Sequence, residues 1–286
     1  MGKIIDCETI AEQYFTEVEQ ELKSIGVRPI VKMFLATDDD SCVSYATIMR
    51  RKFAKTGIEA LLFRISSSEE LEEGIRATEG ERETTGCFVF YPIKFPGFEN
   101  YYFMKLVPPS KDVEGLSAEN VYRLIHYRKT FENTPCKAVV PCTPKAVIKV
   151  LQNYNVHTEG SDVVIVNKSY ALGDPLRMMF DNLRATVTVC DINTKPESLR
   201  YYVKNADIIV TGVPYEVELF NDEDIKQGAT VINCSFYHNF DPEKIARRAE
   251  FISFRQGKNY IGQVTTAMAA INVLYLLKYQ RYRESR

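Results

Sequence analysis

A chain of 286 residues with 45% apolar side chains can bury a real core and is long enough for two domains. Its 36 basic and 38 acidic residues leave no broad positive field for nucleic acid, and no run of about 18 apolar residues marks a membrane span. Seven cysteines without a CxxC pair and only three histidines argue for reduced, buried thiols and against a metal centre.

The amino-terminal segment carries Asp6, Glu8 and Glu12, which fits neither a signal peptide nor an acid-poor transit peptide, so a cytoplasmic protein is expected. Apolar Ile10, Tyr14, Val18 and Leu22 make one face of a helix over 8–25, ended by Gly26. Pro29 opens a strand, PIVKMFLAT. An acidic loop, Asp38 to Asp40, leads to Ser41, read as the N-cap of a helix that runs to about Lys55 and stops at Gly57. Strand EALLFRI, a Glu-rich helix over 69–78 and strand GCFVFY follow. This alternation predicts a parallel α/β sheet.

Between Pro92 and Thr134 the pattern weakens to ordered turns and a short helix near 118–127. Thr143 is the expected N-cap of a helix whose first position is Pro144, and this helix is placed at a domain boundary. Residues 162–191 then read as strand, polar loop, helix and a second strand ending in Asp191, the layout of half a dinucleotide-binding unit. A short helix near 197–204, strands ADIIVTG and ATVINC, a helix begun by Asp241 and Pro242, strand EFISF and a helix from about Thr265 to Tyr279 complete the chain.

The glycine pattern of the dinucleotide unit is poor, with Asn167 at the first glycine position and Gly173 remaining. Its helix starts either at the Asp174–Pro175 pair or near Ala171. Asp191 is more informative, because a carboxylate at the end of the second strand, 18 residues after Gly173, accepts from both ribose hydroxyls. A 2′-phosphate at about 4 Å from it would meet a repulsion of roughly 1 to 4 kcal/mol, so NAD is expected over NADP. A buried βαβ unit with a solvated turn aspartate would show the same spacing. Elsewhere, Tyr45 and Met49 share a helix face, where a tyrosine is either a stacking platform or core. KDVEG sets Asp112 and Glu114 two apart in a turn, able to do acid-base work or to grip a ligand's N–H groups. Cys142 precedes a helix start that would stabilise a thiolate, with packing as the simpler role.

The segments SYATIMRRK, GCFVFYP, PPSKDVEGL, PCTPKAVIKVL, VIVNKSYALGDPL, ADIIVTGVP and GQVTTAMA, in this order, resemble the methylenetetrahydrofolate dehydrogenase/cyclohydrolase family. The resemblance implies a two-domain α/β fold: an amino-terminal folate-binding catalytic domain, 1–140, completed by the carboxy-terminal helix 265–286, and a Rossmann-like NAD-binding domain, 141–264. It also implies a homodimer, a tetrahydrofolate substrate, alone or polyglutamylated, and a place in one-carbon metabolism and purine biosynthesis. Tyr45 and Glu114 take the catalytic positions, and Tyr45, Phe90, Glu114, Gly262 and Thr265 the substrate-binding ones. The cofactor-binding positions are Cys142, Thr143, Asn167, Lys168, Ser169, Gly173, Cys190, Asp191, Thr211, Gly212, Val213 and Cys234.

Departures from the family pattern sharpen this expectation. Bifunctional members carry a lysine four residues after the tyrosine and a glutamine beside it; those positions are Met49 and Phe90 here. Lys52 lies about 10 Å further along the helix at about 1.5 Å per residue and is not expected to substitute. Glu114 stands where most members have aspartate, Asn167-Lys168-Ser169 replaces a Gly-Arg-Ser run, and Gln263 departs from a Gly-Pro-Met-Thr run. Together these resemble the yeast-type NAD-dependent monofunctional dehydrogenases, with cyclohydrolase activity weak or absent. Two alternatives keep the same layout: a bifunctional dehydrogenase/cyclohydrolase, and a noncatalytic NAD- or folate-binding protein. No metal, nucleic acid or membrane partner is expected.

Overall fold

A computed structural model describes residues 2–286. In chain order its elements are β1 (Lys3–Ile4), α1 (Cys7–Ile25), β2 (Ile30–Leu35), α2 (Asp40–Thr56), β3 (Glu59–Arg64), α3 (Ser68–Gly80), β4 (Thr84–Phe90), α4 (Asn100–Met104) and α5 (Ala118–Ile125). There follow α6 (Cys142–Asn153), β5 (Asp162–Val166), α7 (Gly173–Asn182), β6 (Thr186–Cys190), α8 (Pro196–Asn205), β7 (Ile208–Thr211), β8 (Thr230–Asn233), α9 (Pro242–Ile245), β9 (Phe251–Ser253) and α10 (Ile261–Glu284). They form two compact units: the segment up to Glu12 with Thr143–Thr265, and Gln13–Cys142 with Thr266–Arg286.

The unit built on Gln13–Cys142 holds a three-stranded parallel sheet in the order β3-β2-β4. Every residue of β4 is buried, so it reads as an unbroken apolar and small-residue run instead of alternating. Phe34, Leu71, Ile75, Val89 and Phe103 pack together as one core cluster. The acidic loop behaves differently from expectation. Asp39, not Ser41, caps α2, its carboxylate accepting from the N–H groups of Ser41 at 3.0 Å and Cys42 at 3.2 Å. Of three neighbouring acids, Asp39 has the extended backbone that a cap requires. Gly57 closes the helix at φ +89°, as its sequence position predicts.

The other unit is a six-stranded parallel sheet in the order β1-β9-β8-β7-β5-β6. Its core gathers Val164, Val203, Ile209, Val231, Ile245 and Ile252. The order reverses at β5, which pairs with β6 on one side and β7 on the other, giving the switch-point crevice where doubly wound sheets bind ligands. The sequence reading assigns residues 1–12 to the catalytic domain, whereas here the segment up to Glu12 clusters with Thr143–Thr265. The cause is β1, which adds to the sheet edge with Lys3 opposite Phe251 and Ile4 opposite Ile252. A strand of two residues has no periodicity to read. Helix α10 is apolar enough to pass as a membrane span, with a mean hydropathy of 1.2 over its best 18 residues, yet 83% of that window is buried inside the fold.

Candidate active site

The turn that carries Glu114 is held from several directions. Asp112, 3% exposed, accepts from the N–H of Gly115 at 2.8 Å, the N–H of Ser117 at 2.7 Å and Asn120 Nδ2 at 2.9 Å. At Gly115, φ is +80° and an added Cβ would lie 2.5 Å from the Val140 carbonyl carbon, so only glycine makes this bend. Before the turn, buried Lys111 donates to the carbonyls of Glu81, at 2.9 Å, and Thr84. Behind it, Asn272 of α10 donates to the carbonyls of Val113 and Val140, each at 2.9 Å.

Glu114 therefore has a fixed backbone, its carbonyl accepting from the Cys142 N–H at 3.2 Å. Its half-buried side chain borders a narrow cavity lined also by Cys87, Tyr91, Met104, Asp112 and Ser117. Burial, and then the negative charge of Asp112, pushes the Glu114 pKa well above the usual carboxylate range. A carboxyl tuned this way can donate a hydrogen bond as well as accept one. Cys142 belongs to the same turn: its thiol donates to the Val113 carbonyl at 3.3 Å, which assigns it a packing contact in place of a free thiolate.

Tyr45 projects from α2 onto β4 in the same unit. Its half-buried ring meets Phe90 edge-on, with centroids 5.7 Å apart at 86°, and Phe88 at 6.3 Å and 73°. Met49, a turn further along, is 0% exposed and Phe90 is 2% exposed. The lysine and glutamine positions of the bifunctional pattern are thus filled by buried apolar groups that cannot hold a proton. Lys52 is directed instead over the ring of Phe15, 5.3 Å from its centroid.

In the other unit the carboxyl ends of the parallel strands carry the expected nucleotide residues. Asn167 organises the turn after β5. Its Oδ1 accepts from the N–H groups of Ser169, at 2.9 Å, and Gly173, at 3.1 Å, and from the Ser169 hydroxyl. Its Nδ2 reaches across the switch point to the Gly212 carbonyl at 2.8 Å. A side chain replaces the missing first glycine by tying the loop together. Gly173 remains indispensable, because a Cβ there would sit 1.9 Å from the Asn167 carbonyl oxygen. Helix α7 begins at Gly173 with no side-chain cap, so both earlier placements of its start, at Asp174–Pro175 and near Ala171, miss by one or two residues.

After β6, Cys190 is buried, and Asp191 accepts from the Asn193 N–H at 2.9 Å while its Oδ2 stands 3.8 Å from Lys168 Nζ. Thr211 is fully buried and donates to Asn233 Oδ1 at 3.3 Å; the Val213 N–H donates to Asn239 Oδ1 at 2.8 Å. The Cys234 N–H donates to the Thr211 carbonyl at 2.8 Å, and burial first of all raises the Cys234 thiol pKa. The uncapped start of α7 at Gly173, close to the switch point, and the carboxylate at the strand end fit a dinucleotide.

Thr143 lies within the first turn of α6, which starts at Cys142, so it is not the cap expected from the Thr-Pro pair. Gly262 has the Tyr260 ring pressed against it, and the Thr265 hydroxyl donates to the Ile261 carbonyl at 3.3 Å. Sequence reading missed Asn272, Asn120 and Asn239 as organisers. The one available signal was Asn272, a polar side chain inside the apolar run AAINVLYLL.

A two-unit α/β architecture of this kind, with a dinucleotide-type switch point in one unit and a clamped acidic turn in the other, is that of a nucleotide-binding α/β protein. The profile of the tetrahydrofolate dehydrogenase/cyclohydrolase catalytic domain matches residues 5–114, and that of the NAD(P)-binding domain matches 141–281. The chain belongs to the tetrahydrofolate dehydrogenase/cyclohydrolase family. It is 31% identical over 96% of its length to the bifunctional protein FolD of Caldanaerobacter subterraneus, covering 97% of that protein. It is also 31% identical over 98% of its length to the methylenetetrahydrofolate dehydrogenase [NAD(+)] of Dictyostelium discoideum, covering 95% of it. The structure of the NAD-dependent 5,10-methylenetetrahydrofolate dehydrogenase of Saccharomyces cerevisiae superposes with a TM-score of 0.90 at 26% identity, over 99% of each chain.

Proposed function

We propose that this protein oxidises 5,10-methylenetetrahydrofolate to 5,10-methenyltetrahydrofolate with NAD, and hydrolyses the methenyl product weakly or not at all. The burial of Met49 and Phe90 beneath Tyr45 carries the second half of this reading, since no proton-moving pair stands where bifunctional members have one. Asp191 supports NAD, its carboxylate disfavouring a 2′-phosphate. When bound, NAD supplies the hydride acceptor. The chain's own task is positional: the folate nitrogens support the developing cation, so no strong base is required, and the gain comes from holding the reacting carbon at about 3 to 3.5 Å from the acceptor. In this scheme Tyr45 stacks on the aminobenzoyl ring and Glu114 grips the pterin. Lys168, Ser169 and Gly173 hold the cofactor's phosphates.

The reading extends to a cytoplasmic homodimer that serves one-carbon metabolism and purine synthesis and takes mono- or polyglutamylated folate. Steady-state assays with NAD and NADP, run beside a methenyl-hydrolysis assay, test the core of it. NADH should form from methylenetetrahydrofolate. Absence of NADH sinks the dehydrogenase reading, and hydrolysis well above the uncatalysed rate sinks the monofunctional one.

A further inference from the structure

Ser117 occupies the N-cap position of α5, with extended backbone at φ −61° and ψ 149°, yet its side chain makes no cap hydrogen bond. Serine at such a place ordinarily accepts from the N–H groups of the first helical turn. Here the turn is held by Asp112 instead, whose Oδ2 takes the Ser117 N–H at 2.7 Å and the Asn120 amide at 2.9 Å. Ser117 is 2% exposed, and its hydroxyl oxygen meets no hydrogen-bond partner among the described residues. A buried hydroxyl in this state costs stability that an alanine methyl would not.

The hydroxyl borders the narrow cavity beside Glu114, whose volume of about 10 Å³ is the room of a single water molecule. Every residue around that cavity belongs to the unit built on Gln13–Cys142. Its walls are apolar at Val89, Val107 and Leu116. Of the polar members, Asp112 is occupied by three N–H donors, and the Cys87 thiol is met by the Thr78 hydroxyl at 3.9 Å. Ser117 Oγ and the Glu114 side chain thus border one water-sized space, and the hydrogen bonds that hold the turn engage neither of them.

We infer that this cavity is a built site for one water molecule, which accepts from the Ser117 hydroxyl and donates to the Glu114 carboxylate, and that Ser117 is thereby a positioning residue for Glu114. Such a bridge satisfies the buried hydroxyl and fixes the rotamer of a carboxylate that the backbone alone leaves free. Its hydrogen bond favours the ionised carboxylate, against the burial and the Asp112 charge that raise the Glu114 pKa. The other titratable groups around the site are the Cys87 thiol of β4, the Tyr91 phenol after it and the Cys142 thiol of α6, none of them a cation. The Lys111 ammonium is turned away, to the carbonyls of Glu81 and Thr84.

Only the catalytic consequence depends on the dehydrogenase reading; the water site stands on the cavity and the hydroxyl. A crystal structure of the ligand-free protein should show one ordered water within about 3.2 Å of both Ser117 Oγ and a Glu114 carboxyl oxygen. Ser117→Ala should move the acid limb of the pH profile of kcat/KM for methylenetetrahydrofolate up by about one pH unit, and Ser117→Thr, which keeps the hydroxyl, should restore it. No ordered water bridging the two groups, or coincident profiles for Ser117→Ala and the parent, overturns the inference. Should the parent form no NADH, the dehydrogenase reading fails by itself, and the unfolding temperature against pH becomes the readout. The stabilisation given by Glu114→Gln should grow with pH to a plateau, reached about one pH unit higher in the Ser117→Ala background. An unshifted plateau then overturns the inference.

Discussion

Glu114 and Asp112 show how two carboxyl groups in one short turn come to do different work. Asp112 is saturated by three N–H donors and holds the bend, while Glu114 receives none and titrates high because of burial and its neighbour's charge. The sign of the linkage follows. An acid whose folded pKa is raised above its ordinary 4.5 supports the fold fully below about that pH and weakens it as pH rises through the raised value. Glu114→Gln should therefore raise the unfolding temperature at pH 8 more than at pH 5, and a pH-independent difference would refute the burial argument. The same substitution should weaken folate binding. Asp191 has its own test, since Asp191→Ser removes the charge facing a 2′-phosphate and should shift the NADP-to-NAD preference by about fivefold at an effective dielectric near 80 to several hundredfold near 20. An unmoved ratio places the ribose elsewhere. Sequence reading placed Glu114 in a turn and Asp191 at a strand end because both positions are set by local pattern. Asn167 looked like a lost glycine, because the service of its side chain to Gly173 and Gly212 depends on a switch point that only the folded sheet creates.

Elements were legible where apolar periodicity lasted several turns and unreliable at their ends. Helices α1, α2 and α8 and all the longer strands stand within a few residues of expectation, because burying one face fixes their period. Caps escaped more often: Asp39 took the role given to Ser41, and α6 starts before Thr143, since one hydrogen bond decides between adjacent candidates. Helix α10 starts at Ile261, four residues before the expected Thr265, and its polar end, Gln280 to Glu284, continues within the expected carboxy-terminal helix of 265–286, Gln280 Nε2 donating to the Thr85 carbonyl at 2.7 Å. On α2, buried Met49 carries a prediction of its own. Met49→Lys alone should cost roughly 3 to 5 kcal/mol, as an uncompensated buried ammonium does, measured by denaturant unfolding. Only together with Phe90→Gln, which gives the ammonium a partner, should methenyl hydrolysis appear; hydrolysis by the single Phe90→Gln variant would contradict the proposed reason for its absence.

The whole molecule is discontinuous in sequence in both of its units. The parallel sheets were readable from strand and helix alternation, but the pairing of β1 was not, because β1 is specified by the edge that receives it. Removing residues 2–6 should leave β9 as an open edge, lowering the unfolding temperature and promoting aggregation, followed by thermal unfolding and light scattering. Unchanged behaviour in both would mean that β1 contributes nothing to the sheet.

The pairing of β1 with β9 also bears on synthesis. Strand β1 is made well before its partner at Phe251–Ser253, which at about 5 to 20 residues per second follows on the order of 10 to 50 s later. The sheet can grow in order from β5 through β6, β7, β8 and β9 while the leading end waits. The other unit, started earlier by β2 to β4, is itself unfinished until Thr266–Arg286 has emerged. Both units therefore close only after segments near 251–286 have been made, and a chain interrupted before β9 leaves two incomplete folds rather than one finished and one missing.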